Sequence, residues 1–114
     1  MPHVVLEYSA GLEQSLDFQV ICEELYRVLA AHEEFDAQTL KIRAMPIPYS
    51  FIGTEPQTFI HASLLLMQGR DERTRAELNA IILDFLTAAA PAVGSITVRD
   101  VEMNRATYAK RLAT

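Results

Sequence analysis

The feature that most constrains the fold is a repetition of element order along the chain. Superposing His3 on His61 also superposes Gly11 on Gly69 and Leu40 on Val98, and it lays one amphipathic segment on another. Each copy reads strand, glycine-marked turn, helix, strand, over residues of about 1–52 and 58–104. A helix between two strands makes them parallel, and the crossover is expected to be right-handed. Two such units in one domain, residues 1–114, predict an α/β (α+β) fold with both helices on one face of a shared mixed sheet. With 50% hydrophobic residues in 114, the chain can bury one core. The other sheet face then needs cover. A run as apolar as Phe59 to Met67 predicts a homo-oligomer that buries it.

The elements follow from periodicity. His3 to Ser9 is a strand that opens just after a proline. Leu16, Val20, Cys22, Leu25, Val28 and Leu29 recur near helical spacing among acidic residues, which predicts a helix from about Glu13 to Ala31. Thr39 to Ala44 alternates apolar and polar residues, so Lys41 and Arg43 project from one face of a strand that Met45-Pro46-Ile47-Pro48 ends. Turn residues through Tyr49, Gly53 and Pro56 predict a loop. Thr58 to Met67 is a strongly apolar strand, Gln68-Gly69-Arg70-Asp71 a turn, and Asp71 a helix N-cap. Leu78, Ile81, Ile82, Phe85, Leu86 and Ala89 make the second helical stripe, which Pro91 and Gly94 stop. Ser95 to Glu102 is the last strand, and the tail from Met103 has too little periodicity to assign.

A formal charge of −5 opposes nucleic-acid binding, since phosphate contacts need a basic stripe. No apolar run approaches the ~20 residues of a membrane span, and the N-terminus lacks a signal pattern. A cytoplasmic protein is expected. Cys22 is the single cysteine, so neither an internal disulfide nor a cysteine zinc site can form, and a buried thiol is the expectation. His3 and His61 hold equivalent repeat positions without a carboxylate-rich motif beside them. They are expected to be hydrogen-bonded near an oligomer interface, with no metal and no cofactor.

Pro2 is the candidate for chemistry. A proline after the initiator methionine permits removal of Met1, which leaves a free secondary amine. An α-amino group starts near pKa 7.7–8.0, closer to neutrality than any lysine, and so suits general base work. With Met1 retained, the same nitrogen is an amide without basicity. The plain structural reading is also open, since proline at the first position of a strand costs no ladder hydrogen bond.

Met1-Pro2-His3 with Glu7 and Tyr8, Phe59-Ile60-His61 leading to Gly69-Arg70, and Ala106-Thr107-Tyr108-Ala109-Lys110 resemble the 5-carboxymethyl-2-hydroxymuconate isomerases of the tautomerase superfamily. The resemblance covers nearly the whole chain, though Ala44 to Gln57 matches poorly. It implies a homotrimer of β-α-β repeats with active sites between subunits. Pro2 would be the catalytic acid/base, and Arg70 a substrate-binding arginine. Where the family has an arginine in its second strand, this chain has Lys41, with Arg43 two residues on. Lysine lacks the planar fork that grips a carboxylate through two hydrogen bonds. Tyr8 is a further candidate for lining the pocket, and Tyr108 and Lys110 belong to a tail that could reach a neighbour.

The expected activity is therefore enol-keto tautomerisation of a 2-hydroxymuconate-type di- or tricarboxylate, as in aromatic catabolism. Nearby cations and burial would both favour the neutral amine. Hydration or decarboxylation of a related acid from the same proline is an alternative, because one fold hosts several chemistries. So is a non-catalytic trimer that binds small carboxylates or a protein partner.

Overall fold

The computed structural model describes residues 1–113. Its elements are β1 (His3–Ser9), a 3-10 turn (Leu12–Gln14), α1 (Phe18–Ala30), β2 (Lys41–Ile47), β3 (Phe59–Met67), α2 (Glu72–Ala89) and β4 (Ser95–Met103). Alternation along β1 sends Val4, Leu6 and Tyr8 to one side, and β3 sends Ile60, Ala62, Leu64 and Leu66 to the same side. These residues meet Phe18, Ile21, Leu25 and Leu29 of α1 and Leu78, Ile82 and Leu86 of α2 in one core. The sheet is thus covered by both helices on one face, in the strand order β2-β1-β3-β4.

β1 pairs parallel with β2, β3 pairs parallel with β4, and β1 and β3 are antiparallel at the centre. Val5 pairs with Ser63, its own counterpart in the repeat, so the axis relating the halves passes through this pair. The second strands depart from the simple superposition. His3 pairs with Lys41 while His61 pairs with Thr97, so Arg43 corresponds to Arg99 and Leu40 to Ile96, not to Val98. The second helix-to-strand connection is shorter, which a single offset along the sequence hides.

The first helix starts later than periodicity predicts. Asp17 accepts from the backbone N–H groups of Gln19 and Val20, at 3.1 and 3.2 Å, and this cap fixes the start at Phe18. The buried stripe is consequently Phe18, Ile21, Leu25 and Leu29, and Val20 and Val28 stand 41% exposed instead of joining it. Cys22 is only half-buried, and burial raises the pKa of its thiol. Asp71 caps α2 as expected, accepting from Thr74 N at 2.8 Å. β2 runs on to Ile47, through Pro46. At a sheet edge one side of the strand has no ladder to donate to, so a missing N–H is tolerated there. Arg75 of α2 bonds Asp100 at 2.9 Å and ties α2 to β4.

Leu64 is fully buried on β3, between β1 and β4. Leu64→Ala is expected to cost about 3–5 kcal/mol, the lost transfer energy plus a cavity the paired strand cannot close. The urea midpoint measures this. A loss under about 1 kcal/mol would show that the sheet relaxes into the gap.

Candidate active site

The topology gathers four chain segments at one end of the sheet. β2 runs with β1, so its first residue, Lys41, lies beside His3. β3 runs against β1, so the Gly69-Arg70 turn that follows it arrives where β1 begins. β4 runs with β3 and delivers the tail to the same end. Gly69 has φ 123°, a left-handed conformation that suits glycine and turns the chain toward α2.

Pro2 is buried, and its carbonyl accepts from Lys41 N at 3.1 Å. The amine one residue before it titrates below its ordinary value of 8.0. Burial is the main cause, followed by the positive charges of Arg70, Lys41, Lys110 and Arg105. The amino terminus of this chain therefore lies in a partly desolvated, cationic setting.

Arg70 is not a free cation. Its Nε donates to Glu34 Oε1 at 2.9 Å, and its Nη2 donates to the Glu34 carbonyl at 3.1 Å. Glu34 lies in the α1–β2 connection and balances an arginine placed close to a helix N-terminus, where the dipole disfavours it. Lys41 Nζ donates to the Thr39 carbonyl at 3.0 Å. Arg43 lies one step along the open sheet face, with its Nη1 3.1 Å from His3 Nδ1. Pro2, Arg70 and Lys41 are thus brought together, and Arg43 joins them through His3. Tyr8 is set apart. It points into the core under α1, 7% exposed, with its ring stacked on Phe18 at 3.8 Å between centroids, because strand alternation gives it to the helix side.

His3 links the sheet to the tail. Arginine can only donate, so Nδ1 is the acceptor from Arg43 and Nε2 carries the proton toward Tyr108 Oη, at 2.7 Å. A proton on Nδ1 would break the Arg43 contact. Burial, then Arg43 and Lys41, hold the His3 pKa below 6.5. Since the unfolded ring binds a proton near 6.5 and the folded one resists it, this contribution to stability is present above pH 6.5 and is lost as pH falls through the folded pKa. Melting temperatures between pH 7.5 and about 5.5 are expected to fall more steeply in wild type than in His3→Gln. Equal slopes would assign the acid sensitivity elsewhere. His61, the repeat counterpart, is hydrogen-bonded through Nδ1 to Thr97 Oγ1 at 2.6 Å.

Sequence reasoning missed Glu34, which no spacing connects to Arg70. Within the chain, Tyr108 meets His3 and Lys110 Nζ lies 3.2 Å from Met1 Sδ, contacts that no spacing in the sequence announces. β4 ends close enough to the start of β1 for a short tail to fold back. Arg105 fastens the turn between them, donating from Nη2 to the Gln68 carbonyl at 2.9 Å.

No curated protein matches the chain in sequence. Among solved structures, a 5-carboxymethyl-2-hydroxymuconate delta-isomerase superposes with a TM-score of 0.82 at 20% identity, covering 99% of this chain and 89% of that one. A 5-carboxymethyl-2-hydroxymuconate isomerase from Deinococcus radiodurans R1 gives 0.76 at 24% identity, with 96% and 88% covered. A macrophage migration inhibitory factor-like protein from Entamoeba histolytica gives 0.73 at 15% identity, with 96% and 95% covered. These likenesses are of fold. The model of the 5-carboxymethyl-2-hydroxymuconate isomerase family matches residues 2–104, from Pro2 through the last strand and so across both repeats and the Gly69-Arg70 turn. The chain therefore belongs to the 5-carboxymethyl-2-hydroxymuconate isomerase family, a family of enzymes within the tautomerase superfamily.

Proposed function

We propose that Met1 is removed and that Pro2 then acts as the acid/base of an enol-keto isomerase for 2-hydroxymuconate-type di- or tricarboxylates. The observation that supports this most is the setting of the amino terminus, where burial and four cations favour an unprotonated amine. Removal of Met1 leaves the new amine on Pro2, one residue deeper at the head of β1. The neutral amine takes the proton of the 2-hydroxyl as the enol oxygen becomes the ketone oxygen. The resulting ammonium returns a proton to a carbon farther along the conjugated chain, so the net change is isomerisation. Arg70, Lys41 and Arg43 stabilise negative charge passing through the oxygen and draw in the carboxylates. Lys41 offers a point charge where an arginine would offer a fork, so substrate orientation rests on the arginines.

The reading includes a homotrimer with sites between subunits. The open face presents Val5, Leu65 and Val101 among Arg43, Glu7, His61 and Arg99, a mixed surface that a second copy could cover. Intact mass establishes whether Met1 is gone, and the absorbance decay of 2-hydroxymuconate and its 5-carboxymethyl derivative tests the chemistry. Accelerated ketonisation by the Met1-free protein supports the reading. Decay at the buffer rate with both compounds overturns it, and a stable monomer on sizing removes the interface sites.

A further inference from the structure

The four cations around the amino terminus differ in what holds them. Arg70 is bound through two of its nitrogens by Glu34, Lys41 by the carbonyl of Thr39, and Arg105 by the carbonyl of Gln68. These partners all persist when Met1 leaves. Lys110 differs, because its ammonium lies against the Met1 thioether. Processing removes that neighbour and leaves Lys110 facing the volume the methionine occupied.

That volume has a chemical meaning. Met1 is bonded to the Pro2 nitrogen, so any substrate whose proton is to be moved by that nitrogen must enter the same space. The methionine chain marks the path from the nitrogen outward, and Lys110 Nζ stands at its sulfur end, 3.2 Å from Sδ. An unsaturated acid with its reacting atoms at the nitrogen can lay a carboxylate a few bonds away, beside the ammonium. Lys110 is exposed, but the tail that bears it is held by Tyr108, which accepts from His3 Nε2 at 2.7 Å. The backbone at Thr107 and Tyr108 is turned by hydrogen bonds to the Asn104 carbonyl, at 3.1 and 3.2 Å.

We propose that Lys110, carried by the C-terminal tail of the same chain, receives a carboxylate of the substrate once Met1 has gone, and that Tyr108 positions it by docking on His3. This rests on the isomerase reading for the identity of the substrate. The anchor itself is a statement about carboxylate binding and can be tested without turnover. Other charged groups facing the space are Arg70, Lys41 and Arg105, together with Glu34 on Arg70. They supply a general attraction for anions, whereas Lys110 would supply a direct, charge-assisted hydrogen bond.

The test uses the full-length Met1-free protein and cis,cis-muconate, a dicarboxylate without the 2-hydroxyl, with its dissociation constant measured by calorimetry. Lys110→Met is expected to weaken binding about ten- to a hundredfold, and Lys110→Arg to stay within about threefold of wild type. Tyr108→Phe is expected to weaken it several-fold, and the double variant to be no weaker than Lys110→Met alone, since both act through one ammonium. With the hydroxylated substrates, KM should rise in Lys110→Met far more than kcat falls. Muconate binding that is unchanged in Lys110→Met overturns the proposal whatever the activity, and so does a wild type that does not bind muconate. A Lys110-dependent affinity in a protein without ketonisation supports the anchor and removes only the chemistry assigned to Pro2.

Discussion

Replacing Pro2 by alanine in the Met1-free protein is expected to lower kcat/KM for ketonisation by about a hundred- to ten-thousandfold, the usual worth of a positioned general base. Alanine also permits removal of Met1, so the variant still begins with an amine, and a primary amine near pKa 7.7–8.0 is itself a usable base. The loss therefore measures position more than basicity. The pyrrolidine ring fixes φ and holds the nitrogen relative to β1, whereas an alanine amine turns freely about its own bond. A companion variant that keeps Met1 converts the same nitrogen into an amide and should fall to the buffer rate with the fold intact. If Pro2→Ala keeps more than about a tenth of wild-type activity, some other group moves the proton. If the Met1-retaining protein is as active as the processed one, the amine has no part in the reaction.

The second large effect is expected at Arg70. On the proposed mechanism, Arg70→Gln should lower kcat/KM by about a hundredfold or more, because it would remove a fixed positive charge from the space where the oxygen gains negative charge. Arg70 is also one cause of the lowered pKa of the Met1 amine, and on the proposed reading the amine that processing leaves on Pro2 shares that setting, so the acid limb of the rate profile should move to higher pH in the variant. Arg70→Lys should restore much of the profile but less of the rate, since an ammonium keeps the charge and loses the fork. The Glu34 pair gives a control. Both partners are partly exposed, 24% and 35% by side chain, so breaking the pair is expected to cost at most about 1 kcal/mol of stability. Glu34→Gln should match Arg70→Gln in stability but not in rate. Equal rates in the two variants and wild type would leave Arg70 a tether for the α1–β2 connection and nothing more.

Much of the fold was legible because its causes are local. The period of Leu78, Ile82 and Leu86, the cap at Asp71 and the glycine at position 69 each act within a turn or two of chain, and the structure places a helix, a cap and a left-handed turn there. The start of α1 was misjudged where two local signals compete. Leu16 continues the apolar period, but Asp17 captures the N–H groups that follow it, so the helix begins only at Phe18. The end of β2 was misjudged because the prolines read as a stop, although an edge strand accommodates Pro46.

The candidate site divides in the same way. Pro2 could be named as a candidate because a proline after the initiator methionine is visible in adjacent residues, and Arg70 because the Gly69-Arg70 turn is part of the family resemblance. The tertiary structure alone decided that the start of β1, the turn after β3, the start of β2 and the tail after β4 share one end of the sheet. It also decided that Glu34 holds Arg70, that His3 docks Tyr108, and that Tyr8 belongs to the core. Strand periodicity specifies which side chains share a face. Which strand ends lie together depends on the parallel and antiparallel pairings, and contacts between residues far apart in the chain exist only once those pairings have formed.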